Sequence, residues 1–312
     1  MLVVPQNVLR GLTESSEELG VKLLREQTSP GFHSEVRVRY SELASKVGAH
    51  KEIVRLAVKR AEKSQFIREW KILLNPRLIG QTFGSLQVES RLDESEMVRA
   101  LAQIKLIEGV AIISIYQGGS LRVVIYYDSE ESADRKIQLI ASICGVKKED
   151  TTLVKVSVPV TRTLKKTDWK VLKAISKNPR RKSADISSEL RLSTRTVNRV
   201  IKKLTDSRAI FMSSIVDVEN SVGLTVSYLI RCSEEAKEQI YRLVESQKVD
   251  FSTPGTNEYF MALLCLKNIS EAEQFRGQLK KVPGVEEIRM YFLKEHIFVD
   301  SWLDEVIQKN AD

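Results

Sequence analysis

Cysteine and histidine are the residues most often used in nucleophilic and metal chemistry, and this chain has few of either. No cysteine belongs to a Cys-x-x-Cys pair, and no histidine lies at a metal-binding spacing from another ligand. The residues are Cys144, Cys232, Cys265, His33, His50 and His296. This pattern predicts buried, reduced thiols without a metal or cofactor, and we expect a protein that is not an enzyme.

Cations able to bind a polyanion occur in two blocks. The 312 residues carry a formal net charge of +8. Residues 20–80 contribute +7, residues 163–223 contribute +8, and the rest of the chain is −7. Two compact basic blocks predict two surfaces for a polyanion such as DNA. The alternative is that these lysines and arginines only solvate two helices.

The second basic block contains the pattern of a helix that reads DNA. Short polar residues come first, where base edges are close, and long cations that reach phosphates follow. Ser193 is expected at the N-cap, and Arg195 and Asn198 can make bidentate contacts with bases. The predicted DNA contacts are Arg180, Arg181, Lys182, Ser193, Thr194, Arg195, Thr196, Asn198, Arg199, Lys202 and Lys203. For residues 180–182, a solvated loop is the alternative interpretation.

The first basic block is a weaker version of the same pattern. Where the second block has Ser193 and Arg195, the first has His50 and Glu52. A carboxylate opposes phosphate, although it can accept a hydrogen bond from cytosine N4. We expect phosphate contacts with little sequence choice, and we interpret His50 as a surface residue. The predicted contacts are Lys51, Arg55, Lys59 and Arg60.

Both blocks belong to an internal repeat, because residues 42–80 align without a gap on residues 185–223 at an offset of 143. Each copy has two short helices joined by a tight turn. The second helix of each pair has apolar residues at the i, i+3, i+4, i+7 spacing of an amphipathic helix. A further helix is predicted upstream, over 19–26 and over 168–175. Each copy is therefore predicted to contain a helix-turn-helix.

A wing is predicted after each helix-turn-helix. Residues 66–74 and 209–218 are rich in β-branched and aromatic residues, which predicts a small β-hairpin in each copy. Each unit is then a winged helix. The predicted domains are winged helices over 1–80 and 161–223, each followed by a second domain, over 81–160 and 224–312.

The second domain of each half has the order βαββαβ. The first half predicts elements over 82–89, 94–107, 110–116, 121–127, 132–143 and 152–158. The second predicts elements over 224–231, 234–245, 249–252, 259–266, 270–281 and 285–292. This order predicts a four-stranded antiparallel sheet with two helices on one face, the ferredoxin-like arrangement, and an α+β fold class.

The apolar residues Val123, Ile125 and Tyr127 suggest that a second sheet covers the face without helices. We therefore expect the two βαββαβ domains to pair within one chain. A final helix is predicted over 298–309. No membrane span or signal peptide is evident, so we expect a cytoplasmic protein.

A winged helix followed by a βαββαβ domain resembles the Lrp/AsnC (feast/famine) family of transcriptional regulators. The segment 192–204 is similar to the recognition helix of that family. Leu73-Leu74-Asn75-Pro76 resembles the exit from the wing, and Val282-Pro283-Gly284-Val285 precedes the last strand. The resemblance implies a tandem fused regulator with two RAM-like domains and double-stranded DNA as its partner. Further self-association, as a dimer or a higher homo-oligomer, stays open.

The resemblance also implies a small-molecule effector site near the turn between the middle strands of each βαββαβ domain. The residues of those turns are Gly118, Gly119, Gly255, Asn257 and Glu258. The alternative is that these glycines only allow a hairpin turn.

Siroheme decarboxylases resemble the same architecture and use histidine and arginine in the βαββαβ domain to hold and decarboxylate a tetrapyrrole. An enzyme of this type is the alternative function. The sequence disfavours it because His296 is predicted to lie past the last strand.

Overall fold

The computed structural model describes residues 40–47, 50–63, 67–158, 163–216, 224–246 and 249–312. The helix predicted over 19–26 lies outside these residues. The chain forms two compact units, each of which combines segments from both halves of the sequence. Among the described residues, the first unit contains those from 40 to 69 and from 214 to 295. The second contains those from 70 to 213 and from 296 to 312.

The order of helices and strands follows the predicted order closely. The first half contains α1 Tyr40–Val47, α2 Lys51–Lys63, β1 Ile67–Leu74, β2 Thr82–Val88, α3 Glu94–Ile104, β3 Val110–Tyr116, β4 Leu121–Tyr127, α4 Glu130–Ile143 and β5 Thr151–Val156. The second half contains α5 Lys166–Ser176, α6 Ser183–Leu190, α7 Thr194–Asp206, β6 Ile210–Val216, β7 Leu224–Cys232, α8 Glu234–Ser246, β8 Val249–Pro254, β9 Tyr259–Leu266, α9 Ile269–Leu279, β10 Val285–Phe298 and α10 Ser301–Ala311. None of the described helices is long and apolar enough to cross a membrane.

The second unit contains a ferredoxin-like sheet in the strand order β5-β2-β4-β3, with antiparallel neighbours. A capping box between Asp93 and Glu96 starts α3, and Ser129 caps α4. Both helices bury their apolar faces against the sheet. This predicted fold class is confirmed.

The interpretation of Val123, Ile125 and Tyr127 is wrong. These residues point to the helix face of the sheet and belong to one buried cluster with residues of α3 and α4, including Ala100 and Ile137. Alternation along a strand identifies two faces without showing which of them meets the helices.

The opposite face of this sheet packs against the second winged helix. Phe83 and Tyr126 of the sheet share a buried cluster with Trp169 and Leu172 of α5. Helix α10 completes this cluster through Trp302, whose ring centroid lies 5.0 Å from that of Tyr126. A single core therefore joins the winged helix, the sheet and the C-terminal helix of the second unit.

The first unit contains a second four-stranded sheet in the order β10-β7-β9-β8. Its core includes Tyr228, Phe260 and Phe275, and the Tyr228 hydroxyl donates to the backbone carbonyl of Ala272 at 2.9 Å. The helix pair α1 and α2 lies in the same unit, with Ala44, Val54 and Ala57 buried.

The predicted wing hairpins are wrong for the described residues. Instead of folding back on itself, β1 is a single strand that pairs with β6 in a two-stranded sheet. The buried Asn75 fixes this pairing, because its backbone N–H donates to Ala209 O at 2.9 Å and its side-chain Nδ2 donates to Arg208 O at 2.8 Å. The wing of the second winged helix thus includes a strand from the first half of the chain.

The last strand is longer than predicted and changes the position of His296. Because no glycine or proline interrupts residues 285–298, β10 continues to Phe298. His296 therefore lies within the strand, and the prediction that placed it beyond the strand is wrong. The final helix accordingly begins at Ser301.

Candidate nucleic-acid interface

Helices α5, α6 and α7 form the helix-turn-helix of the second unit. Val171 and Leu172 of α5, Ile186 of α6 and Val197 of α7 are fully buried at their junction. Ser193 caps α7, with its Oγ accepting from the backbone N–H of Thr196 at 3.1 Å. The predicted N-cap is therefore confirmed, and it sets the first turn of the recognition helix.

One face of α7 is a continuous exposed surface. Arg195, Asn198, Arg199 and Lys202 are exposed at the spacing i, i+3, i+4, i+7. The opposite face carries four buried residues, which are Val197, Val200, Ile201 and Leu204. We call the exposed residues, together with Thr194, the recognition face.

Two polar residues on or beside this face are held in place. The Ser183 hydroxyl donates to Asn198 Oδ1 at 2.6 Å, which leaves the Asn198 amide group to act as a donor. Thr196 is half-buried and its hydroxyl lies 2.9 Å from Ser193 Oγ. Thr196 therefore supports the N-cap, while Asn198 presents donors to the solvent.

Lys203 differs from the other predicted contacts because it turns inward. Its ammonium forms an ion pair with Asp168 of α5, whose side chain is 4% exposed. Asp168 also accepts from the backbone N–H of Lys165 at 2.9 Å, so it caps α5 as well. The structure gives Lys203 an internal partner, and we leave it out of the recognition face.

The basic residues before α6 have separate partners. The Arg180 guanidinium lies 5.1 Å from the ring centroid of Trp70. Arg181 forms an ion pair with Glu189, and Lys182 is exposed at the N-cap position of α6. All three residues were predicted to contact phosphates, and Lys182 is the one of the three that is exposed to solvent.

The matching surface of α2, in the first unit, has a different composition. Arg55 Nε donates to Glu52 at 2.7 Å, and this bond holds the pKa of the Glu52 carboxyl below its usual range. Leu56, which aligns with Arg199 of α7, is 43% exposed. Lys51 and Lys59 are exposed. Arg60 belongs to α2, but the structure does not describe its side chain. This helix presents an internal ion pair and an apolar residue where α7 presents cations.

The turns proposed for an effector are filled by the chain itself. Gly118 and Gly119 both have φ 85, and a Cβ at Gly119 would lie 2.4 Å from Leu92 O. Ser90 Oγ also donates to Gly119 O at 2.7 Å. Glycine at position 119 is therefore required by close backbone packing.

The equivalent turn in the first unit is held by a buried lysine. Lys237 is 4% exposed and its Nζ donates to Gly255 O at 2.7 Å and to Asn257 O at 2.6 Å. Glu258 is exposed at the same turn. The carbonyl groups that an effector would contact already accept from this lysine.

A row of buried polar residues crosses the sheet of the second unit, and most of these residues are not among those predicted from the sequence. Thr152, Gln87, Arg122 and Ser114 occupy directly paired positions on β5, β2, β4 and β3. All four residues are buried, with exposed fractions between 0% and 9%. We call these four residues and His296 the polar row. The signal was available, because Gln87 and Arg122 interrupt strands that are otherwise mostly apolar.

His296 joins the polar row through Ser114. Arg122 Nη2 donates to Ser114 Oγ at 3.1 Å, and that oxygen lies 2.9 Å from His296 Nδ1. The serine hydroxyl can donate to Nδ1, which puts the imidazole proton on Nε2. Burial, followed by the charge of Arg122, lowers the pKa of His296 to about 3. His296 is therefore neutral at physiological pH, and its buried Nε2 has no hydrogen-bond partner among the described residues.

Two of the cysteines are buried thiols in an apolar environment. Cys144 and Cys232 are buried, and burial raises the pKa of both thiols to about 11. No group of histidine, cysteine and carboxylate residues within the described ranges has a metal-binding arrangement.

Comparison with known proteins identifies the helix-turn-helix segment. Residues 164–210 match the family model described as winged helix-turn-helix DNA-binding. This match covers α5, α6 and α7, where the recognition face lies. No curated protein sequence matches the chain.

Several solved structures are similar to the chain. The siroheme decarboxylase NirDL has a TM-score of 0.54 at 14% identity, over 93% of this chain and 97% of that chain. The same enzyme in complex with an iron-uroporphyrin III analogue gives the same TM-score at 15% identity. At these identities the likeness shows the fold.

Transcriptional regulators are similar over a smaller share of the chain. A regulator from Neisseria meningitidis, in complex with L-methionine, has a TM-score of 0.34 at 20% identity, over 42% of this chain and 89% of that chain. AsnC from E. coli has a TM-score of 0.30 at 20% identity, over 47% and 95%.

The prediction that the protein is not an enzyme is contradicted by the likeness to NirDL. That enzyme has the same fold over 93% of the chain. The prediction relied on scattered cysteines and histidines in the sequence. It overlooked that folding brings His296 beside Arg122 and Ser114.

Proposed function

We propose that the protein is a DNA-binding transcriptional regulator that places α7 in the major groove of duplex DNA. The observation that carries this proposal is the recognition face, which presents Arg195, Asn198, Arg199 and Lys202 on a capped helix within a segment that matches winged helix-turn-helix DNA-binding domains. Arginine and asparagine are the side chains that read guanine and adenine through two hydrogen bonds.

The second winged helix is proposed to supply sequence preference and the first to supply affinity. The matching face of α2 carries the Glu52–Arg55 pair and the exposed Leu56 at the positions where α7 carries Arg195, Asn198 and Arg199. Lys51 and Lys59 remain exposed and available for phosphates. Such contacts strengthen binding to all sequences alike.

The direct test is selection of bound duplexes from a random pool, followed by fluorescence anisotropy on the enriched sequence and a scrambled control. We expect one preferred sequence to be enriched and bound more tightly than its scrambled version. A pool that stays random, with no binding to either duplex, would refute the proposal.

At a finer level, we propose that the chain is a tandem Lrp/AsnC-type regulator with two RAM-like domains. Support comes from the βαββαβ order, which occurs in both halves with the same strand order in both sheets. Pairing of the two domains within the chain, an effector at the glycine turns, further self-association and a cytoplasmic location stay predictions.

A second candidate function is the binding of a tetrapyrrole that carries carboxylates. The observation in its favour is the polar row, in which Arg122 and the buried Nε2 of His296 lie near one another through Ser114. An arginine and a donating imidazole are suited to a carboxylate. NirDL, which has this fold, is a siroheme decarboxylase.

Titration with iron-uroporphyrin III tests this candidate independently of DNA. If it is correct, the wild-type protein shifts the porphyrin absorbance band at stoichiometric concentration, and Arg122→Met and His296→Gln weaken the shift. A band that does not change with wild-type protein would exclude the candidate and leave the DNA proposal intact.

A further inference from the structure

The turn between α6 and α7 contains an arginine in a conformation that favours glycine. Arg191 has φ 51 and ψ 43, in the left-handed region. The turn closes through the backbone N–H of Leu192, which donates to Ser187 O at 3.1 Å. Glycine adopts this conformation without steric cost, whereas any residue with a Cβ is strained there.

The sequence of the first half of the chain has no arginine at the position that aligns with Arg191. In the gap-free alignment of the two copies, the position of Arg191 corresponds to Gly48. The aligned position therefore holds glycine in the first copy and a long cation in the second. The arginine must be explained by something other than the path of the chain.

Contacts within the protein do not explain Arg191. Its side chain is exposed, and within the described part of the chain it makes no hydrogen bond or ion pair. Two nearby cations differ, since Arg181 pairs with Glu189 and Lys203 pairs with Asp168.

Arg208 is the only other non-glycine residue with positive φ in the described ranges. Its φ is 54, but Asn75 Nδ2 donates to its carbonyl at 2.8 Å, so the wing junction stabilises that conformation. In the turn of Arg191, the Ser187 hydroxyl donates to the next carbonyl, Leu192 O, at 2.5 Å, and no side chain in the described ranges donates to the carbonyl of Arg191 itself. Strained residues of this kind concentrate at functional sites.

The position of Arg191 indicates which function the strain serves. It lies two residues before Ser193, the N-cap of α7. When a recognition helix enters the major groove with its N-terminal residues, the residues just before it lie beside the DNA backbone. A guanidinium there meets phosphate oxygens, which it can bind with two hydrogen bonds.

We infer that Arg191 binds a backbone phosphate beside the groove that α7 enters, and that the strained turn is kept because it directs this side chain outward. This inference rests on the proposed DNA-binding function. Arg191 adds a contact that is independent of sequence to the base contacts of Arg195 and Asn198.

The test compares Arg191→Gly, Arg191→Asn and Arg191→Lys in the full chain, by anisotropy on the enriched and scrambled duplexes between low and high salt. Arg191→Gly and Arg191→Asn should each weaken binding to both duplexes by roughly tenfold. The slope of log affinity against log salt should fall by about 0.9, the value for one lost phosphate contact. Arg191→Lys keeps the charge and should retain the slope.

Two controls separate binding from folding. Arg99→Ala removes one exposed arginine from α3 and should leave both affinity and slope unchanged. The melting temperature of Arg191→Gly should equal or exceed that of the wild type, because glycine relieves the strain.

Three results would overturn the inference. One is wild-type affinity and slope in Arg191→Gly. Another is a loss of discrimination between the duplexes with an unchanged slope, which would indicate a base contact. The third is a lower melting temperature of Arg191→Gly. If the wild type binds neither duplex, the proposed function itself fails, and this inference fails with it.

Discussion

At the scale of single residues, burial decides what each cation of α7 does. Lys202 and Lys203 are adjacent in sequence, yet Lys202 is exposed beside Asp206 and Lys203 pairs with the buried Asp168. Exposed ion pairs contribute little to stability, whereas removing one partner of a buried pair leaves an uncompensated charge.

This contrast gives a prediction for two neighbouring lysines. Lys203→Ala should lower the free energy of unfolding by about 3 kcal/mol, because Asp168 loses its cation. Lys202→Ala is the control and should change it by less than about 0.5 kcal/mol. Urea unfolding measures both, and equal effects would show that Lys203 is not a structural residue.

The recognition face gives a second prediction at this scale. Arg195→Ala should cost about 1 to 3 kcal/mol of binding free energy on the preferred duplex and reduce discrimination against other sequences. Lys51→Ala should weaken all duplexes equally and lower the salt slope by about 0.9. Anisotropy titrations separate the two cases. If Lys51→Ala alone changed base preference, the roles assigned to the two winged helices would be reversed.

The depressed pKa of His296 predicts a pH dependence of stability. The folded state keeps the imidazole neutral down to about pH 3, while in the unfolded chain it has its ordinary pKa of 6.5. Between these values the unfolded state binds one more proton, so stability falls as the pH drops below about 6.5. The slope contributed by this group approaches about 1.4 kcal/mol per pH unit.

Urea unfolding between pH 7 and pH 4 checks this expectation in His296→Gln, which lacks the titrating group. The stability of the variant should fall less steeply over this range than that of the wild type. His50→Gln replaces an exposed histidine and should follow the wild-type curve. Parallel curves for wild type and His296→Gln would contradict the buried, neutral imidazole.

At the scale of secondary structure, α10 links the winged helix to the ferredoxin-like sheet of the second unit. Trp302 packs on Tyr126 of the sheet, and its Nε1 donates to Glu108 at 3.3 Å. Along the helix, Asp304 pairs with Lys177 and Asp312 with Lys173 of α5. The helix therefore contacts both parts through apolar and charged residues.

Trp302→Ala should destabilise the second unit by about 3 kcal/mol, because it removes a large buried side chain between two packed elements. Lys309→Ala, on the exposed face of the same helix, should stay within about 0.5 kcal/mol of the wild type. Urea unfolding measures the stability of both variants when it is followed by far-UV circular dichroism, which reports on the backbone and does not require Trp302. Equal midpoints for Trp302→Ala and wild type would show that α10 is not part of the core.

At the scale of the whole molecule, the distribution of charge predicts how DNA binding responds to salt. Residues 163–223 carry +8 and residues 20–80 carry +7 within a net charge of +8, so the excess cations are concentrated in the segments of the two winged helices. Neutralised phosphates release counterions, and the observed affinity should fall linearly with log salt at about 0.9 per contact. Anisotropy on duplex DNA between 50 and 200 mM salt measures this slope. An affinity that does not change with salt would refute binding through this basic surface.

The sequence alone determined the local features of this protein. Apolar periodicity located the helices and strands, and Ser193 identified the start of α7, because capping and amphipathic spacing depend on neighbours within a few residues. The βαββαβ order was predicted correctly in both halves for the same reason.

Only the tertiary structure decided which distant residues meet. The pairing of β1 with β6 joins segments about 140 residues apart, and nothing in either strand specifies its partner. Burial redirected Lys203 from the DNA to Asp168. The extension of β10 placed His296 beside Ser114, 182 residues away, and so created the polar row. Such contacts depend on the packing of whole elements, which periodicity and local propensity do not encode.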